Sequence, residues 1–212
     1  RLAREFNLNV NVGQPQVAYK ETIAGTATNA TRYVKQTGGK GQFAHIVLKM
    51  EPGDGFEFVN KIVGGAIPRE YIPAVEAGIK QALEEGVLEG YPVINIKATL
   101  IDGSFHEVDS SEMAFKTAAI IGSKECLKKA QPVLLEPVMD LEIRTPEEFT
   151  GNIINNLTNR RGKLVSMEME KSTQTIKSLV PLAELFGYST VIRSLTQGRA
   201  SFSMEFSHYQ KF

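Results

Sequence analysis

The sequence has no tryptophan and a single cysteine, Cys126. One thiol closes no internal disulfide and makes no thiolate metal site, which points to a reducing, cytoplasmic setting. Net charge is missing too: 24 Lys and Arg stand against 24 Asp and Glu. No global field therefore draws the chain onto nucleic acid, and any RNA contact must come from local patches. Apolar runs are as short as Ile46-Val47-Leu48, far below the roughly 20 residues of a membrane span. No basic segment followed by an apolar one opens the chain, so neither a signal peptide nor a membrane partner is expected. The histidines His45, His106 and His208 are far apart and no HExxH occurs, so no metal ligand is assigned. The chain begins at Arg1, and Arg1 to Phe6 reads as the tail of a helix already under way, as in a piece of something longer.

What is present is ordinary globular material: 212 residues, 42% hydrophobic, enough for one large domain or two small ones. Residues 16–26 and 31–50 alternate polar and apolar, as strands do, with Thr37-Gly38-Gly39-Lys40-Gly41-Gln42 between the last two. Phe56 to Val59 is a further strand. Ile72, Val75, Ile79 and Leu83 give a helix face that Gly86 ends. Tyr91 to Asp102 reads as a strand. Asp109 and Glu112 match a capping box for a helix beginning near Ser110, with Met113, Ala114, Ala118, Ile121 and Leu127 as its buried stripe. Ala130-Gln131-Pro132 is the best domain boundary. Beyond it come a strand (133–144) and a helix capped by Thr145, with Ile153, Ile154 and Leu157 inward and Gly162 as its stop. Two strands follow (164–169, 175–180), then a helix opening at Pro181 and a last strand (200–206). That order, β-α-β-β-α-β, is the ferredoxin-like split arrangement. Two α/β (α+β) domains are expected.

Chemistry is sparse. Gly38-Gly39-Lys40-Gly41 lacks the spacing and the following helix of a Walker loop, so it is either a mobile hairpin tip or an exposed tip touching RNA backbone through Lys40. Ser104, His106 and Asp109 lie within one short loop, which rarely aims three groups at one point. A strand-to-helix turn or a recognition loop fits better than a hydrolase triad. Cys126 reads as a packed, inert thiol. Arg160-Arg161-Gly162-Lys163 and Gln197-Gly198-Arg199 follow two helices, where cations serve either as dipole partners or as a phosphate-gripping edge. Residues 10–132 hold 13 basic and 14 acidic side chains, and residues 133–207 hold 8 and 9. Neither domain is strongly basic.

Seven ordered motifs carry a resemblance. Asn11 to Tyr19, Gln36 to Gln42, Ile62 to Pro68, Gly103 to Phe115, Asn159 to Gly162, Val180 to Glu184 and Thr196 to Arg199 resemble bacterial-type elongation factor G. The chain is similar to its fourth and fifth domains. The resemblance implies a preceding-domain tail at 1–9, a ribosomal protein S5 domain 2-like domain at 10–132, a ferredoxin-like domain at 133–207, and the start of a truncated terminal segment at 208–212. It implies a monomer whose partner is the ribosome, acting in GTP-dependent translocation of tRNA and mRNA. Gly38, Gly39, Lys40, Gln42 and His106 would meet the tRNA–mRNA duplex in the small-subunit decoding centre. Arg160, Arg161 and Arg199 would face RNA at the large-subunit stalk base and sarcin–ricin loop. GTP and magnesium would belong to another domain of the parent GTPase, leaving no cofactor and no catalytic residue here. A paralogue serving ribosome recycling or protection shares this architecture, and a ligand-binding regulatory module is the alternative from fold analogy.

Overall fold

The computed structural model describes residues 17–36 and 38–212. The helix tail expected at Arg1 to Phe6, residues 10–16 and Thr37 lie outside them. Contacts divide the chain into two compact units, Tyr19–Leu135 with Tyr209–Phe212, and a second built from Glu136–His208.

In the first unit, β1 (Lys20–Ile23) pairs antiparallel with residues 132–135. The main sheet holds β2 (Ala27–Lys35), β3 (Gln42–Pro52), β4 (Glu57–Asn60) and β5 (Ile96–Ser104), in the order β2-β3-β5-β4. The period-two pattern of β3 works as written: Ala44, Ile46, Leu48 and Met50 are wholly buried, while Phe43, His45, Val47 and Lys49 look outward. Helices α1 (Ile72–Glu85) and α2 (Glu112–Lys129) belong to the same core. They approach so closely that a Cβ on Gly78 would lie 2.5 Å from the Lys116 carbonyl oxygen.

Several expectations need correction. Helix α2 is capped by Ser111, whose hydroxyl accepts from the Ala114 amide at 3.1 Å. Asp109 and Glu112 form no capping box, because the third helical position is Ala114. The buried stripe of α2 holds the expected Ala114, Ala118 and Leu127 together with Phe115, Ala119, Gly122, Ser123 and Cys126, whereas Met113 and Ile121 are exposed. Small side chains supply much of that face, and a search for large apolar residues misses that part. The strand expected from Tyr91 starts only at Ile96, since Pro92 lacks an amide and Asn95 takes a positive φ of 61°.

Residues 91–94 serve another purpose. Glu21 is fully buried, and its carboxylate accepts from the amides of Val87 (2.7 Å), Leu88 (2.9 Å), Glu89 (3.0 Å) and Tyr91 (3.0 Å). Gly86 begins this wrap at φ 68°, and a Cβ there would meet the Tyr91 oxygen at 2.3 Å. Burial alone would raise the pKa of Glu21, but the four amides together outweigh it and hold the group below the usual carboxylate range.

The second unit follows β6 (Pro132–Pro146), α3 (Thr150–Asn159), β7 (Lys163–Glu170), β8 (Thr173–Pro181), α4 (Tyr188–Leu195) and β9 (Ser201–Lys211). Strand β6 pairs with β9 and β8, and β8 with β7, giving the order β9-β6-β8-β7 of the split arrangement. The contact division falls after Leu135, within the strand that opens at the expected boundary, Pro132. Thr145 donates to the Pro146 carbonyl at 3.2 Å and caps no helix; a 3-10 turn over Glu147–Phe149 precedes α3. Similarly, Leu182–Glu184 is a 3-10 turn, and α4 starts only after Gly187 turns left-handed. Leu141, Ile143, Ile153, Ile176 and Val180 form the wholly buried centre of this unit.

Candidate nucleic-acid interface

Strand direction gathers three loops at one end of the first unit. β2 ends at Lys35, β3 starts at Gln42, and β4 and β5, which are parallel, end at Asn60 and Ser104. The glycine loop and the Ser104 to Val108 loop are thus neighbours. The Phe43 amide donates to the Asp109 carbonyl at 2.9 Å, and the Ser110 hydroxyl donates to the Phe43 carbonyl at 2.7 Å. Ser110 Oγ also accepts from the His106 amide at 2.9 Å. A Cβ on Gly41 would lie 3.0 Å from the Asp109 carboxyl carbon, so a larger residue there would make the Asp109 side chain shift.

This network leaves donors facing outward. His106 Nδ1 accepts from the amides of Val108 (3.3 Å) and Asp109 (3.2 Å). That pattern assigns the neutral ring's proton to Nε2. The Asp109 carboxylate stands 3.6 Å from Nδ1, too long for a hydrogen bond. Gln42 Oε1 accepts from the Tyr33 hydroxyl at 2.9 Å, which frees its NH2 to donate. Gly38, Gly39 and Lys40 are exposed, and Lys40 has no carboxylate partner among the described residues.

The hydrolase geometry does not assemble. Ser104 Oγ lies 3.0 Å from His45 Nδ1, not against His106. Cys126 is buried in α2; its thiol donates to the Ala27 carbonyl at 3.3 Å, and burial pushes its pKa up. Among the described residues no three His, Cys, Asp or Glu side chains gather to hold a metal, and no helix is long and apolar enough to cross a membrane.

The arginines of the second unit behave differently. Helix α3 ends with Arg161 itself in the left-handed region (φ 57°), while the Gly162 amide reaches back to the Leu157 carbonyl at 2.8 Å. Gln197 and Gly198 repeat this after α4, with Gly198 bonded to the Arg193 carbonyl at 2.8 Å. Arg161 grips the buried Glu136 with both terminal nitrogens (2.7 and 2.9 Å), and its Nε meets Glu184 at 3.2 Å. The Glu136 bond above all holds this guanidinium even further above its ordinary range. Arg160 donates to Asn156 and to the Glu184 carbonyl, with its guanidinium carbon 5.2 Å over the Tyr188 ring. Arg199 pairs with Glu148 and lies 5.5 Å over Phe149. All three are internally engaged.

Sequence reading missed Arg32, Phe43 and His45, which stand beside the tip. A usable signal existed: about a turn centred between Gly38 and Gly39, Arg32 falls opposite His45, as the register has it.

Comparison with known proteins gives similarity over the whole chain. The family description "Elongation factor G, domain IV" matches residues 15–131, and "Elongation factor G C-terminus" matches residues 133–212. The chain is 76% identical to elongation factor G 1 of Syntrophomonas wolfei and 58% identical to elongation factor G of Thermotoga maritima, in each case over 100% of this chain and 31% of the relative. A crystal structure of a Thermus thermophilus protein superposes with a TM-score of 0.89 at 41% identity, covering 99% of this chain and 32% of that one. The chain thus spans about a third of the length of the relatives it matches.

Proposed function

The chain belongs to the elongation factor G family, and from that premise we propose that its first unit works as an arm in the translocation of tRNA and mRNA on cytoplasmic ribosomes. The tip enters the small-subunit decoding region and holds the tRNA–mRNA duplex through Lys40, the Gln42 amide, His106 Nε2–H and the bare backbone of Gly38 and Gly39. The observation that supports this reading is the two-loop clasp through Phe43, Asp109 and Ser110, which brings the His106 loop beside the start of β3, next to the exposed Gly38, Gly39 and Lys40. Near-neutral charge suits an arm that must leave RNA again, since each phosphate contact adds salt-sensitive affinity.

In the second unit, Arg160 and Arg199 turn their remaining N–H groups toward RNA at the large-subunit stalk base and sarcin–ricin loop, while Arg161 holds the frame behind them. GTP and magnesium act in another domain of the full-length protein. The test uses that full-length protein with His106→Ala. Translocation should slow at least tenfold while ribosome-stimulated GTP hydrolysis stays near normal. Equal loss of both activities would make His106 a structural residue, and normal movement with impaired ribosome splitting would assign the protein to recycling.

A further inference from the structure

The outer face of the first unit's sheet carries a cavity of about 370 Å³, lined by Ala30, Arg32, Phe43, His45 and Ser104. Three of these residues form one row across three strands. Arg32 faces His45 in the β2–β3 register, and His45 faces Ser104 in the β3–β5 register. With strands about 4.8 Å apart, the row spans roughly 10 Å.

The row presents donors at both ends. The Arg32 guanidinium carbon lies 5.3 Å over the Phe43 ring, which holds the fork without consuming its N–H groups. No carboxylate among the described residues pairs with it, in contrast to Arg161 and Arg199. His45 Nδ1 and Ser104 Oγ are 3.0 Å apart. If the hydroxyl donates to Nδ1, the ring keeps an Nε2–H; if the ring donates, the hydroxyl keeps its proton. One donor remains either way. Asp102 precedes Ser104 by two residues on β5, opposite Val47, and Lys49 and Glu51 satisfy each other at 3.0 Å. The Phe43 ring, 6.3 Å from that of His106, joins the cavity to the loop clasp.

We propose that this cavity seats a phosphate of an RNA strand running along the flank of the tip. A guanidinium fork and the one donor left by the His45–Ser104 pair can position a nucleic-acid backbone without reading its bases. The proposal rests on the tip reading above, which brings the strand to this flank. The test measures equilibrium binding of the full-length protein to ribosomes across a potassium chloride series. Arg32→Gln keeps a stem over Phe43 and removes the charge. It should lower the slope of log affinity against log salt by about 0.7–0.9, the value for one phosphate contact. Arg32→Lys should keep the wild-type slope, and Ser104→Ala should weaken binding several-fold at unchanged slope. A wild-type slope in Arg32→Gln would overturn the proposal and leave Arg32 as a packing group. Lys40→Ala separates the two claims: if it alone lowers the slope, the tip reading stands and the flank site falls, and if neither does, the tip reading has failed as well.

Discussion

Glu21→Gln is the most informative perturbation of the fold. The Glu21 carboxylate is wholly buried and accepts four amide bonds of 2.7–3.0 Å, two on each oxygen. A glutamine of the same shape turns an NH2 toward two of those amides, so two acceptor positions vanish and two donors face a donor. Hydrogen bonds to a charged group contribute about 1.5–3 kcal/mol each, and a buried donor left unmet costs about 1–3 kcal/mol. Relaxation of the 86–91 loop recovers part of this, leaving a loss of about 3 kcal/mol, or roughly 10 °C in Tm for a unit of this size. The pH dependence carries a sign. The folded-state pKa lies below the unfolded one, so the stabilisation is complete above the ordinary Glu range near ~4.3 and fades as pH falls through the folded value. Calorimetric melting of wild type and variant should therefore show the full gap at pH 7 and a shrinking one below about pH 4. A gap under about 1 kcal/mol, or one that is the same at both pH values, would refute the reasoning.

Other substitutions read out separate contacts. Arg161→Ala removes the two-nitrogen grip on the buried Glu136 and should cost the second unit about 3 kcal/mol, measured by denaturant unfolding; Glu136→Gln combined with it should recover part of that loss. Tyr188 has its hydroxyl buried without a hydrogen-bond partner among the described residues, and burial pushes its pKa up to about 12. Tyr188→Phe should therefore be neutral or stabilising by up to about 1 kcal/mol, and a loss of that size in thermal melting would mean the hydroxyl is satisfied after all.

How much of this was legible in the sequence depended on whether neighbours along the chain decided it. The alternation of Ala44, Ile46, Leu48 and Met50, and the spacing of Val75, Ile79 and Leu83, gave β3 and α1 directly. Helix α2 showed Ala114, Ala118 and Leu127 but hid Ala119, Gly122 and Cys126, small residues whose place only the assembled core defines. Glu21 was invisible, since its four partners lie 66 to 70 residues away. At the tip, Lys40 and His106 stood out through their motifs, but the clasp joining them depends on Ser110 and Phe43, separated by 67 residues. The arginine loops were located correctly while their engagement with Glu136, Glu184 and Glu148 was not, because pairing across a fold leaves no local pattern.

The claim that the tip works in the decoding region is tested most directly by tethered hydroxyl-radical cleavage. Cys126 is buried, so Lys40→Cys in a full-length protein with no other exposed thiol takes a single iron chelate at the tip. On ribosomes before translocation, cleavage is expected in small-subunit RNA around the decoding centre, and Ser110→Ala should blur it by loosening the clasp. Cleavage confined to large-subunit RNA, or none above an untethered control, would contradict the placement of the arm.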